Sequence, residues 1–118
     1  LPDMPARRSL PPVTVCLNIV VDAQGRVPRS LPLSQRSECA AGEDEQNAVL
    51  LIAAADAVRQ WRFRPAAICR FAPGVRPVAE NDCADAERVE DVPVTLAYAF
   101  TFEIVQGQAR VRIGKTPR

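Results

Sequence analysis

Few side chains in this chain could do chemistry, and their types narrow the options quickly. There are four cysteines, Cys16, Cys39, Cys69 and Cys83, and no histidine. A cysteine nucleophile needs a base to take its proton, and imidazole, the commonest one, is absent. Structural zinc sites draw on close-spaced thiolate pairs or on histidines, and no Cys-x-x-Cys occurs here. No metal-ligand set is assigned. The adjacent carboxylates Glu90 and Asp91 are the nearest thing to an acid–base pair. They lie in a charged run from Glu80 to Asp91, and carboxylates in such a run are ordinarily solvated. There is no Gly-x-Ser-x-Gly elbow either. The sequence therefore yields no catalytic residue and no cofactor, and it reads as a non-enzymatic protein.

The cysteines fit two disulfides in an oxidising compartment, with buried free thiols as the alternative. Four cysteines allow three pairings, and sequence alone does not choose among them. Cys69 and Cys83 flank a loop-like insert and are the preferred pair, which leaves Cys16 with Cys39.

Charge excludes further classes. Fifteen basic against fourteen acidic residues give a formal net charge of +1. Nucleic-acid binders usually carry a strong basic excess, so no nucleic acid is expected as partner. The balance gives no support for an anionic membrane surface. With 118 residues, 47% of them hydrophobic and 25% charged, one domain with a modest core is expected. The longest apolar run, Ala48 to Ala55, is far short of the roughly 20 residues that span a bilayer. The chain opens on Leu1 with no charged-then-apolar start, so any anchor or export signal is expected upstream.

These residues must be positioned by elements that periodicity predicts. Residues 1–12, rich in Pro and Arg, read as a linker or tail. In the domain that follows (13–118), Val13, Val15, Leu17, Ile19 and Val21 alternate with Thr14, Cys16, Asn18, Val20 and Asp22. That alternation predicts a half-buried strand. Asp22 to Arg26 supply a turn in which Gly25 can take a positive φ. A second strand should place Val27, Leu31 and Leu33 on one face. Pro28 and Pro32 share its other parity, so both missing donors point the same way, as on an edge strand. A loop at 34–43 leads to a helix from about Asp44 to Gln60. Asp44 is its expected cap, and Ala48, Leu51, Ile52, Ala55 and Val58 its inner face.

Trp61 and Phe63 then alternate with Arg62 and Arg64. The aromatics are expected as core anchors and the arginines as solvated. Residues 72–91 should be irregular and exposed, with 79–91 as an insert. From Val92 to Val105 every second residue is apolar or aromatic, the strongest strand signal in the chain. Gln106-Gly107-Gln108 makes a turn, and Ala109 to Ile113 form a short return strand. The fold class is α+β: a two-layer sandwich with an antiparallel β-β-α-β sheet and one main helix on one face. With the prolines closing one edge, the last strand is left as the other. Val94, Thr95, Leu96, Ala97, Tyr98 and Ala99 become the candidate binding residues. The return strand, or a second copy forming a homodimer, could instead cover that edge.

Three segments then carry a specific likeness: Val21-Asp-Ala-Gln-Gly-Arg-Val27, Ala57-Val-Arg-Gln-Trp-Arg-Phe-Arg-Pro-Ala66, and Gly74-Val-Arg-Pro-Val78. With the order of elements, they resemble the TonB C-terminal domain family over about residues 13–105. The insert at 79–91 and the four cysteines depart from the family pattern. The resemblance implies a periplasmic domain, tethered to the inner membrane by an upstream segment that engages a proton-driven motor. It implies as partner an outer-membrane TonB-dependent transporter, whose TonB box is captured by β-augmentation, so that energy reaches substrate uptake. The alternative is a stand-alone periplasmic binding or assembly module with no motor coupling.

Overall fold

The computed structural model describes residues 9–76 and 83–116. Most of the expected tail, and residues 79–82 of the expected insert, lie outside them. The class is α+β, with antiparallel sheets and one main helix. The strands are β1 (Leu10–Val21), β2 (Arg29–Leu33), β3 (Ala66–Arg70), β4 (Arg88–Val92), β5 (Val94–Val105) and β6 (Gln108–Lys115). The helix α1 spans Ala48–Val58, after 3₁₀ segments at Ser37–Glu43 and Glu45–Asn47. A four-stranded sheet has the order β2-β1-β5-β6, and β3 pairs with β4 in a separate ribbon.

β1 starts at Leu10, within the segment expected as a tail. Its register against β5 shifts between Leu10 and Val13. Pro11 and Pro12 lie at that irregularity, where the missing N–H groups cost no regular ladder bond. From Val13 onward the pairing is continuous to Val21↔Val94.

The core is built from the alternation. Val15, Leu17, Ile19 and Val21 of β1 cluster with Phe100 and Phe102 of β5, with Val27, and with Leu50, Ala54 and Val58 of α1. All ten are at most 4% exposed. The buried helix positions recur every four residues, which makes one stripe. The face expected from sequence holds in part: Val58 is in the core and Leu51 and Ala55 pack against it, but Ile52 is 60% exposed and Ala48 is exposed too. The reason is visible in the helix itself. Its run Ala-Val-Leu-Leu-Ile-Ala-Ala-Ala is apolar all round, so periodicity cannot fix which side faces the sheet.

Three other expectations need correction. α1 is shorter than 44–60. Asp44 does not cap it with its side chain; instead its carbonyl accepts from Asn47 N–H at 2.9 Å, closing the 3₁₀ turn. Val27 and Leu31 do not share an environment. Val27, ahead of the strand, is buried in the core, whereas Leu31 is 52% exposed, because it lies across from Asn18 on the sheet face away from the core. Finally, the insert is not irregular throughout. Arg88 to Asp91 belong to β4, paired from Arg70↔Arg88 to Ala66↔Val92. Ribbon β3–β4 therefore stands between α1 and β5 in the chain order, and Pro93 separates β4 from β5.

Both disulfides are present, Cys16–Cys39 and Cys69–Cys83, with Cα atoms 5.3 and 5.7 Å apart. Cys16 lies on the sheet face opposite the core helix, yet it and Cys39 are fully buried. The bridge holds the 3₁₀ segment against the sheet. Cys69–Cys83 closes the ribbon. A two-stranded ribbon alone is marginal in water, and closing a loop of this length stabilises it by about 3 kcal/mol.

Candidate functional site

The turn after β1 and the segment after α1 form one unit. Gly25 has φ +81°, and a Cβ there would overlap the Phe63 carbonyl oxygen. The close approach is used: Phe63 N–H donates to the Gly25 carbonyl at 2.8 Å, and Arg26 bridges to Arg62. Asp22 Oδ1 accepts from Gln24 N–H and Arg26 N–H at 3.0 and 2.9 Å, which fixes the loop as an Asx turn. The segments Val21–Val27 and Ala57–Ala66 are thus in backbone contact.

The same lock aims the aromatics. Trp61 stacks edge-on to Tyr98 at 5.4 Å and lies 5.9 Å from Phe100; Phe63 is 6.2 Å from Tyr98. Trp61 and Phe63 are partly buried and pack on the core. Arg62 and Arg64 are exposed. Arg62 also serves the helix end, where its Nη1 donates to the Trp61 and Arg59 carbonyls at 2.9 and 3.5 Å. That places a cation at the negative end of α1.

These aromatics support β5, and from Ala97 to Val105 β5 is not the edge. β6 runs beside it from Tyr98↔Lys115 to Val105↔Gln108. Among the candidate binding residues, Tyr98 and Ala99 are therefore interior to the sheet. The Ala97 carbonyl accepts from Thr116 N–H at 2.9 Å, and Ala97 is 2% exposed. Val94, Thr95 and Leu96 pair with β1 on the other side. The return strand expected at Ala109–Ile113 is present and longer, and it carries the outer edge. Its turn is tight because Gln106 and Gly107 both take positive φ, 50° and 79°. That pattern matches a two-residue hairpin loop and the twist of its strands.

The phase of the ladder follows from one bond. Thr116 N–H to Ala97 continues the β5–β6 register, and antiparallel bonding alternates residue by residue. Gln108, Arg110, Arg112 and Gly114 therefore bond inward. Ala109, Val111, Ile113 and Lys115 direct N–H and C=O groups out of the sheet. Carried through the β5–β1 and β1–β2 registers, the same alternation turns Arg29, Leu31 and Leu33 of β2 inward. It turns Ser30 and Pro32 outward, with Pro28 just before the strand at the same parity. One edge thus has donors at every outward position, and the other lacks them at its prolines.

No known protein family, curated protein or solved structure matches this chain.

The chemistry of the edge is set by its own residues. Every residue of β6 is exposed. Val111 and Ile113, 44% and 50% exposed, lie across from Phe102 and Phe100, on the face that carries α1. Arg110 and Arg112 lie on the opposite face, across from Glu103 and Thr101. On that face Thr14 Oγ1 and Thr101 Oγ1 share a hydrogen bond of 2.8 Å. The sequence carries the signal for this edge in the alternation of Ala109, Val111 and Ile113 with Arg110 and Arg112. A groove of about 500 Å³ also opens between the start of β1 and the 3₁₀ segments, lined by Pro11, Pro12, Glu38 and Asn47 among others. Among the described residues no cluster of His, Cys, Asp and Glu could hold a metal ion, and no helix is long and apolar enough to cross a membrane.

Proposed function

We propose that this chain is a protein-binding domain of the TonB C-terminal kind, which captures an extended segment of an outer-membrane transporter as an added strand on β6. In this reading the helix and the four-stranded sheet act as one two-layer unit. An upstream segment engages a proton-driven motor in the inner membrane, and tension on the domain is passed to the captured transporter.

The observation that carries the reading is the β6 edge. It offers the outward N–H and C=O groups of Ala109, Val111, Ile113 and Lys115 in one row, with no proline among them. An exposed edge of this kind is a template for another strand. Two other features support it. The paired disulfides suit an oxidising compartment such as the periplasm. The contact between Gly25 and Phe63 gives a physical reason for the co-occurrence of two of the segments on which the family resemblance rests.

The test uses proline position. Val111→Pro removes an outward donor and leaves the bonds to β5 in place. Titration calorimetry with a TonB-box peptide should then show binding to the unmodified domain and at least tenfold weaker binding to V111P, with little change in thermal unfolding. Equal binding by both proteins would move the site off β6. No binding by either would remove the proposal.

A further inference from the structure

We infer that the β6 edge selects a strand with two different faces: apolar residues alternating with acidic ones. The inference rests on the strand-capture reading above and names the chemistry of the partner.

β6 is itself two-faced. Val111 and Ile113 occupy one face, Arg110 and Arg112 the other. The strand carries Lys115 besides and no acidic residue. Among the described residues neither arginine closes an ion pair. Glu103, across the ladder from Arg110, stays outside ion-pair distance. A strand added to the edge must place its side chains alternately beside these two sets, because strand side chains alternate between faces. This holds whether it runs parallel or antiparallel to β6. Residues beside Val111 and Ile113 would cover half-exposed apolar surface that continues the Phe100–Phe102 row. Residues beside Arg110 and Arg112 would meet two cations without carboxylate partners among the described residues. Opposite charges across a ladder favour pairing, and like charges oppose it.

The same arginines argue against a second copy as the occupant. A two-fold antiparallel pairing of β6 with β6 keeps the faces of the two sheets aligned, so residue numbers across the junction sum to an even number. Centred on Val111, it sets Arg110 directly across from Arg112 twice. Centred on Arg112, it sets Arg112 across from itself. Either junction brings unpaired guanidinium groups together on one face. In those two registers the edge disfavours its own copy; centred on Ile113 the pairing would set Arg112 across from Gly114 and avoid the clash, whereas an acidic strand is favoured beside the arginines in any register.

Three capped octapeptides test this on the intact domain: alternating Val-Glu, Val-Ser and Val-Lys, each carrying a fluorophore. Anisotropy should rank them Glu over Ser over Lys, with roughly tenfold between first and last from two cross-strand pairs. Raising salt to about 0.5 M should compress the ranking, since exposed pairs are screened. Arg110→Glu with Arg112→Glu should invert it. Equal binding of all three peptides would overturn the inference and leave strand capture standing. Acidic preference surviving in R110E/R112E would place the selecting charge elsewhere and also overturn it. Binding of none would remove both. Sedimentation supplies the second arm: the unmodified domain should remain monomeric, and a dimer dissociated by V111P would show that the occupant is a second copy.

Discussion

The two edges of the main sheet are built from the same backbone and treated oppositely. At β2 the outward positions are Ser30 and Pro32, with Pro28 just ahead, so the row of donors is broken. The neighbouring half of β1 begins with Pro11 and Pro12 and is flanked by the 3₁₀ segment that Cys16–Cys39 holds in place. At β6 the outward row is complete, and only the charge of Arg110 and Arg112 guards it. Proline closes an edge to every partner, because a missing N–H cannot be supplied by anyone. Charge closes an edge selectively, because a partner of opposite sign turns the obstacle into attraction. The sheet therefore has one edge barred and one edge gated.

The contrast can be broken at several levels. The largest effect is expected where both edges depend on one core residue. Phe100→Ala should cost about 3–5 kcal/mol in a denaturant titration and loosen β1 and β6 together. A loss under about 1 kcal/mol would mean that Phe100 does not carry the core. Cys16→Ser with Cys39→Ser should cost about 3 kcal/mol by loop entropy. Where that variant remains folded it should still bind peptide at β6, because the bridge serves the other side of the sheet. Loss of peptide binding in folded protein would show that the two edges are coupled. Trp61→Ala should cost about 3 kcal/mol, the low end for a buried tryptophan, since Trp61 is only partly covered; it lies between the core and β5, so peptide affinity should fall only with stability. The smallest change in stability should be the most telling. Pro32→Val should shift stability by under about 0.5 kcal/mol and restore a donor on β2. Calorimetry should then find a second, weaker peptide site, or sedimentation should find self-association. Neither result would mean that Pro32 is not what bars the edge.

Much of this contrast can be read from residue order. The strict alternation in β1 and β5 locates both strands, and Pro28 with Pro32 identifies β2 as an edge. The preferred disulfide pairs are the ones present, although residue order alone leaves three pairings open. Two things cannot be read. The inner face of α1 is hidden because Leu50, Leu51 and Ile52 are equally apolar, so only tertiary packing decides that Leu50 goes in and Ile52 stays out. The outer edge reads as Val94–Ala99 because the strand signal at Ala109–Ile113 is short and half cationic. A two-residue turn at Gln106-Gly107 nevertheless commits the chain to fold back. That turn pairs the strongest strand of the sequence from Tyr98 to Val105 and moves the proposed binding surface one strand outward. Strand β4 escapes the sequence reading for a related reason. Arg88, Glu90 and Asp91 are polar because the ribbon has no core to face, and its order comes from pairing with β3 and from a disulfide rather than from hydrophobic burial.

The central claim is that the odd-numbered residues of β6 hold out an unpaired backbone for another chain. Residue-resolved amide hydrogen exchange tests it directly. In the free domain Ala109, Val111 and Ile113 should exchange fast while Arg110, Arg112 and Gly114 are protected, and adding the acidic peptide should slow the fast set. Equal protection of both sets in the free domain, or a fast set that stays fast when peptide is bound, would contradict it.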